Sequence, residues 1–261
     1  MEIKALEDQD LKKFSIFCRK NLPNSFIFDK KFLKFWFKYK NKWSIDLVKL
    51  NKEIISINLK IKNKGLLNGK KCQIVWTSTA FTKLKNKKDA NIGILLLNIH
   101  RENDIVASIS PNEFSYKLNS TLGYEIKNIS LNRFIYLHNL KFIEIIIKNK
   151  KSLFTPKDIY KSHKQEKILS FWTDSIPRGY NKLWKEFSSK FRLCVNKDSH
   201  YLRKRYLKSP FQKYHFLKMY DKKKLIGFSV IRYQKQKNVK IARITEFVST
   251  KKYEKKVWRE I

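Results

Sequence analysis

The sequence predicts an α/β protein of the α+β kind: a mixed, mostly antiparallel twisted sheet flanked by helices, laid out as two tandem modules of which the second is incomplete. Three observations predict it. Alternating apolar strands joined by short polar turns occur near the start of the chain and again near its end. An apolar segment of helical character, Ile92 to His100, follows the third strand of the first set only. A stretch rich in Lys, Ser and Pro, "KNKKSLFTPKDIYKSHKQEK", separates the two sets. With 261 residues, 42% of them hydrophobic and 14% aromatic, the chain can bury a core in each module.

In the first set, an aromatic-Leu pair at Phe32-Leu33 leads through Trp36 and Phe37 to Trp43. The strands "SIDLVKL" and "IISINLKI" follow, joined by "NKE", whose Asn and Lys between β-branched runs signal a hairpin. A "KGLLNGKK" loop is expected next, then the strand "CQIVWTSTAF". After the helix Ile92 to His100 come a short strand "IVASIS", a helix in "NEFSYKLNSTL", a turn at Gly123, and strands "YEIKNISL" and "RFIYLH".

The separating stretch reads as a linker with a helix start at Thr155-Pro156, because Pro is tolerated in a first helical turn. "ILSFWTDSIPRGYNKLWKEFSSKF" reads as an amphipathic helical lead-in to the second set. That set opens on Tyr201-Leu202 and Tyr206, reaches Tyr214, and runs through "YHFLKMY", the turn "DKKK", "LIGFSVIRY" and "KIARITEFV". The shared aromatic opening and similar spacing point to an internal duplication. The expected organisation is a first module over 1–147, a linker over 148–170 and a partial second module over 171–261.

The formal charge of +37 has two readings. One is a polyanionic partner: nucleic acid, an acidic membrane surface or a phosphate-rich cofactor. The other is AT-rich codon usage, which would also supply the abundant Lys, Asn, Ile, Phe and Tyr and the scarce Gly (6) and Pro (5). The lysines are spread along the whole chain rather than gathered in a block. Cys18, Cys72 and Cys194 are isolated from each other and from any His cluster, which argues against a disulfide framework or a zinc site and for a reducing compartment. "MEIKALEDQD" carries acids where a signal peptide would be basic and then apolar, and the apolar patches are too short to span a bilayer. A cytoplasmic protein without a metal is expected.

The stretch "KNKKDANIGILLLNIHREND" raises the question of chemistry. A strand, a lysine-rich turn and a helix start present unpaired backbone N–H groups and the positive end of a helix dipole, which suits an anion. The same residues also describe a solvated loop capped by Asp89 or Asn91.

The order of elements, together with "KDANIG" and "SPNEFSYKLNSTLGYE", resembles the GNAT acyltransferase family. The resemblance covers most of Phe32 to His138 and, more faintly, Trp184 to Val248. It implies an acyl-coenzyme A site at the helix start, where the family carries Gln/Arg-x-x-Gly-x-Gly/Ala. Lys88 stands at the basic position, Gly93 at the second glycine, and Asn91 where the first glycine would be, a residue tolerant of left-handed backbone. Cofactor contacts are thereby implied for Ala80 and Phe81 at the strand end, Lys87 and Lys88 in the turn, and Asn91, Ile92, Gly93 and Ile94 at the helix start. Asn112, Leu122, Gly123 and Tyr124 match a second family signature. The tyrosine that protonates the leaving thiolate in the family would fall at Asn119; Tyr116 lies about one helical turn earlier. The third strand supplies Thr77, Ser78 and Thr79 in place of a carboxylate base.

The resemblance implies direct attack of an amino group on the thioester of acetyl-CoA or another acyl-CoA, with a sugar or similar small amine as acceptor, as in GNAT proteins of surface-polysaccharide pathways. Positioning and backbone amides carry much of such a rate. A Fem-type transferase, also a GNAT tandem, would draw its acyl group from aminoacyl-tRNA and give the charge a direct use. Two non-enzymatic alternatives are a degenerate GNAT-like module kept as a scaffold and a basic nucleic-acid-binding protein that stacks aromatics on bases. The second set reaches Ile261 without a cofactor loop of its own, so the expectation is a truncated module or one that closes the acceptor groove.

Overall fold

The structure is a computed structural model that describes residues 2–23, 25, 27, 29–37, 43–83, 91–102, 105–108, 113–125, 168–236 and 239–260. The chain divides into two compact units. One comprises Met1–Ile126 with Ser188–Gln212; the other comprises Lys127–Phe187 with Lys213–Ile261.

The first unit opens with β1 (Glu2–Ala5), α1 (Leu11–Asn21) and α2 (Lys30–Phe37). Phe14, Phe17 and Cys18 recur at helical spacing on α1 and are buried. Asp29 caps α2, its Oδ1 accepting from the backbone N–H groups of Lys31 (2.7 Å) and Phe32 (3.1 Å). Then come β2 (Trp43–Leu50), β3 (Glu53–Leu67) and β4 (Lys70–Thr82). The β2–β3 turn is Asn51-Lys52, both left-handed (φ 49° and 66°), and the β3–β4 turn is Asn68-Gly69 (φ 50° and 77°). Paired left-handed residues are what a two-residue hairpin in a right-twisted sheet requires.

The predicted "KGLLNGKK" loop is therefore mostly strand. Gly65, Leu66 and Leu67 pair with β4 on one side and, on the other, with β7 (Leu193–Val195), so a distant segment supplies the hydrogen bonds that keep this stretch extended. Gly65 is needed there, because a Cβ would stand 2.5 Å from Ile74 Cδ1.

After β4 the described chain continues with α3 (Asn91–Glu102), β5 (Ile105–Ser108) and α4 (Glu113–Thr121). The sheet order is β1-β2-β3-β4-β5, antiparallel except for the parallel pair β4–β5. On one face Ile45, Leu47, Ile57 and Leu59 pack with the buried side chains of α1 and α2. A second cluster joins Val75 and Val106 of the strands to Ile99 of α3 and Leu118 of α4. The predicted strands "YEIKNISL", apart from Tyr124 and Glu125, and "RFIYLH" lie outside the described residues, as does the helix start at Thr155-Pro156.

The second unit carries β6 (Leu169–Thr173), β8 (His215–Asp221), β9 (Lys224–Gln236) and β10 (Val239–Ser249), an antiparallel sheet ordered β10-β9-β8-β6. These strands match the predicted second meander. The predicted helical lead-in holds only in part: α5 is confined to Tyr180–Ser188, and Leu169–Thr173 is a strand paired with β8. Phe171, Trp172 and Thr173 favour the pleated state, and the hairpin edge supplies the partner that decides it. α6 (Ser199–Leu202) follows β7, and α7 (Glu254–Arg259) sets Val257 against Leu217, Met219 and Ile226. Among the described residues no helix is long and apolar enough to cross a membrane.

Candidate functional site

The first unit contains one strand–helix–strand crossover, β4–α3–β5. Ile74 to Thr77 pair in parallel with Ile105 to Ser108, and α3 makes the crossover that a parallel pair demands. Just past this pairing β4 is irregular. Asn58 faces Ala80 and Lys60 faces Thr77 across the β3–β4 ladder, so β4 holds one residue more than β3 over the same span. β4 continues to Thr82, whereas β5 pairs with it, among the described residues, only as far as Thr77. The outer edge of β4 from Ser78 onward thus follows a bulge, in the unit whose crossover helix begins at Asn91. The first turn of α3 offers backbone N–H groups at Asn91, Ile92, Gly93 and Ile94 without carbonyl partners inside the helix.

Gly93 and Ile94 are half-buried in that first turn. Among the described residues a Cβ on Gly93 would meet only Leu118 Cδ1, at 3.7 Å, an ordinary contact; Leu118 of α4 thus stands over the start of α3. Asn91 is the first residue of the helix, so the left-handed tolerance expected of it is not required. Ala80 is exposed beside the bulge. The Phe81 side chain turns to the opposite face and meets the Phe17 ring edge-on at 5.9 Å. Lys87, Lys88 and Asn112 lie outside the described residues. Tyr116 and Asn119 share α4 but differ in setting: Tyr116 is 48% exposed and Asn119 is buried. The Asn119 carbonyl accepts from the backbone N–H of Tyr124 (3.0 Å), closing the helix at the predicted Gly123 turn (φ 80°). Burial pushes the Tyr124 hydroxyl up to about 12.

Sequence reasoning missed a set of buried polar side chains on the sheet. Registers place Val48, Ser56 and Thr82 in one row, Asp46, Asn58 and Ala80 in the next, and Ser44, Lys60 and Thr77 in a third. Ser56 hydrogen-bonds Thr82. Lys60 Nζ lies 2.8 Å from Asp46 Oδ2 and 3.5 Å from Glu102 Oε2 at the end of α3. Burial holds the Asp46 carboxyl above its ordinary value, against the opposing hydrogen bond and charge of Lys60. Asn58, in the centre, is 1% exposed, and among the described residues neither its Oδ1 nor its Nδ2 has a hydrogen-bond partner. The sequence did not mark them, because Ser56, Asn58, Lys60 and Lys62 alternate strictly with Ile57, Leu59 and Ile61, a pattern that reads as a polar face turned to solvent.

No protein-family profile matches the chain, and no curated protein does. Among solved structures, 98% of the chain aligns with a conserved protein of unknown function from Enterococcus faecalis V583, described as a probable N-acyltransferase, at a TM-score of 0.62 and 9% identity. The match covers 60% of that protein, so the chain spans three-fifths of its length. A predicted acetyltransferase from Clostridium acetobutylicum, solved with acetyl-CoA, aligns over 51% of this chain and 95% of its own, at a TM-score of 0.38 and 15% identity. A GNAT family acetyltransferase from Staphylococcus aureus subsp. aureus USA300_TCH1516 aligns over 51% of this chain and 98% of its own, at a TM-score of 0.39 and 13% identity. The likeness to the Enterococcus faecalis protein is one of fold.

Proposed function

We propose that the protein is an acyl-CoA-dependent N-acyltransferase that moves an acyl group, most simply acetyl, from the thioester to an amino group of a sugar or similar small acceptor. The observation that supports this is the β4–α3–β5 crossover, in which a bulged strand with an outer edge is followed by a helix whose first-turn amides have no carbonyl partner within the helix, a setting that suits phosphate. In this reading the arm of the cofactor lies along β4 at Ala80 and Phe81. Its pyrophosphate meets the first turn of α3 at Asn91, Ile92, Gly93 and Ile94, with Lys87 and Lys88 adding charge. In this reading Tyr116 delivers a proton to the thiolate, and Asn119, three residues on in α4, positions a water or the substrate. The cofactor module in this reading is the unit of Met1–Ile126 with Ser188–Gln212, and the second module is the unit of Lys127–Phe187 with Lys213–Ile261.

The test is thermal. Acetyl-CoA is expected to raise the melting temperature, since a ligand that binds only the folded state stabilises it. Gly93→Glu, which sets a carboxylate against the anion site, is expected to abolish the rise. No rise at saturating acetyl-CoA overturns the proposal. The net charge of +37 favours one second reading, transfer from aminoacyl-tRNA. RNA binding that weakens steeply with salt, without coenzyme A binding, would select it.

A further inference from the structure

Five of the six polar neighbours of Asn58 in its three rows, all but Ser44 in the third row, are engaged elsewhere. Ser56 and Thr82 bond each other, and Asp46 is held by Lys60, itself also near Glu102. Thr77 Oγ1 donates to the Ala107 carbonyl at 3.4 Å. The remaining cross-strand neighbour of Asn58 is Ala80, the residue beside the bulge, directly opposite on β4 and exposed. Opposed residues in an antiparallel pair stand within reach of each other's side chains, so Asn58 lies beside that exposed position although its own polar atoms are buried. The amide therefore has two donors and an acceptor unmet, next to the one small, exposed residue of its row. Leaving such a group unpaired is destabilising, which a purely structural position would avoid with an apolar residue.

We propose that Asn58 is a binding residue for the acyl donor: its side-chain amide hydrogen-bonds a carbonyl or amide of the thioester's arm where that arm passes Ala80. This rests on the acyl-CoA reading above and extends it to a side chain on β3. The arm carries both amides and, when acylated, a thioester carbonyl, and the Asn58 amide complements either.

The test is calorimetric binding of coenzyme A and of acetyl-CoA to the full chain, with melting temperatures of the ligand-free proteins. Asn58→Leu keeps the volume and removes the unmet polar atoms; Asn58→Ala is the second variant should the first not fold. The ligand-free variant is expected to melt at or above the wild type, while affinity falls about tenfold, one hydrogen bond's worth at about 1.4 kcal/mol. A loss confined to acetyl-CoA places the contact on the acyl carbonyl, and an equal loss for both ligands places it on an amide of the arm. Wild-type affinity in the variants overturns the proposal and leaves Asn58 as the partner of a buried water. A wild type that binds neither ligand overturns the acyl-CoA reading itself, before any variant is compared.

Discussion

Lys60→Met removes the cation from a buried ion pair while keeping an unbranched apolar chain of similar length. Lys60 lies on β3 between β2 and β4, is 6% exposed, and stands 2.8 Å from Asp46, which is 8% exposed. Its second partner, Glu102, is on the surface at 3.5 Å and contributes little through water. Breaking a buried pair from one side leaves an uncompensated charge and costs about 3–5 kcal/mol, whereas replacing both members with apolar groups is near neutral. The single variant is thus expected to lose about 3–5 kcal/mol at neutral pH, and Asp46→Leu/Lys60→Met to recover most of it. The pH dependence follows from Asp46. Burial already raises its folded pKa above the unfolded value of 3.8, so the folded state holds the proton more tightly. Loss of Lys60 raises it further. The deficit of Lys60→Met should therefore shrink as pH falls towards the raised pKa of Asp46 and its carboxyl becomes neutral. Urea unfolding at several pH values, followed by β-sheet circular dichroism, measures both effects. A single-variant loss below about 1 kcal/mol, or a deficit flat with pH, refutes the reasoning.

Asp10 behaves in the opposite sense: burial raises its pKa, but the hydrogen bonds and charges of Lys49 (2.6 Å) and Lys4 (2.9 Å) outweigh burial and hold it below 3.8. Its contribution is present above pH 3.8 and lost as pH falls through the lower folded value, so Asp10→Asn is expected to remove an acid-unfolding limb, read by titrating fluorescence. Gly65→Ala would drive a Cβ to within 2.5 Å of Ile74 and is expected to cost about 1–3 kcal/mol in chemical unfolding. Gly93→Ala meets only Leu118 at 3.7 Å and should stabilise the ligand-free protein by about 0.5–1 kcal/mol through helix propensity, checked by the same unfolding curves.

The local grammar of this chain was legible because it depends on neighbours in sequence. Period-two alternation marked β2, β4 and the three-stranded meander of the second unit, and the apolar run from Ile92 marked α3. The turn at Gly123 followed from a residue that adopts a left-handed backbone without strain. What depends on a distant partner was hidden. Leu66-Leu67 became strand because β7 arrived from more than a hundred residues away, and Leu169–Thr173 became strand because β8 offered an edge. The candidate site divides in the same way. Gly93 and the start of α3 could be found by motif, since the anion-binding property resides in consecutive backbone amides. The parallel β4–β5 pairing, the bulge before Ala80 and the unpaired amide of Asn58 arise only when three strands are brought into register. A strand's sequence determines which residues alternate across its faces; which polar atoms go unmet is decided by the strands beside it.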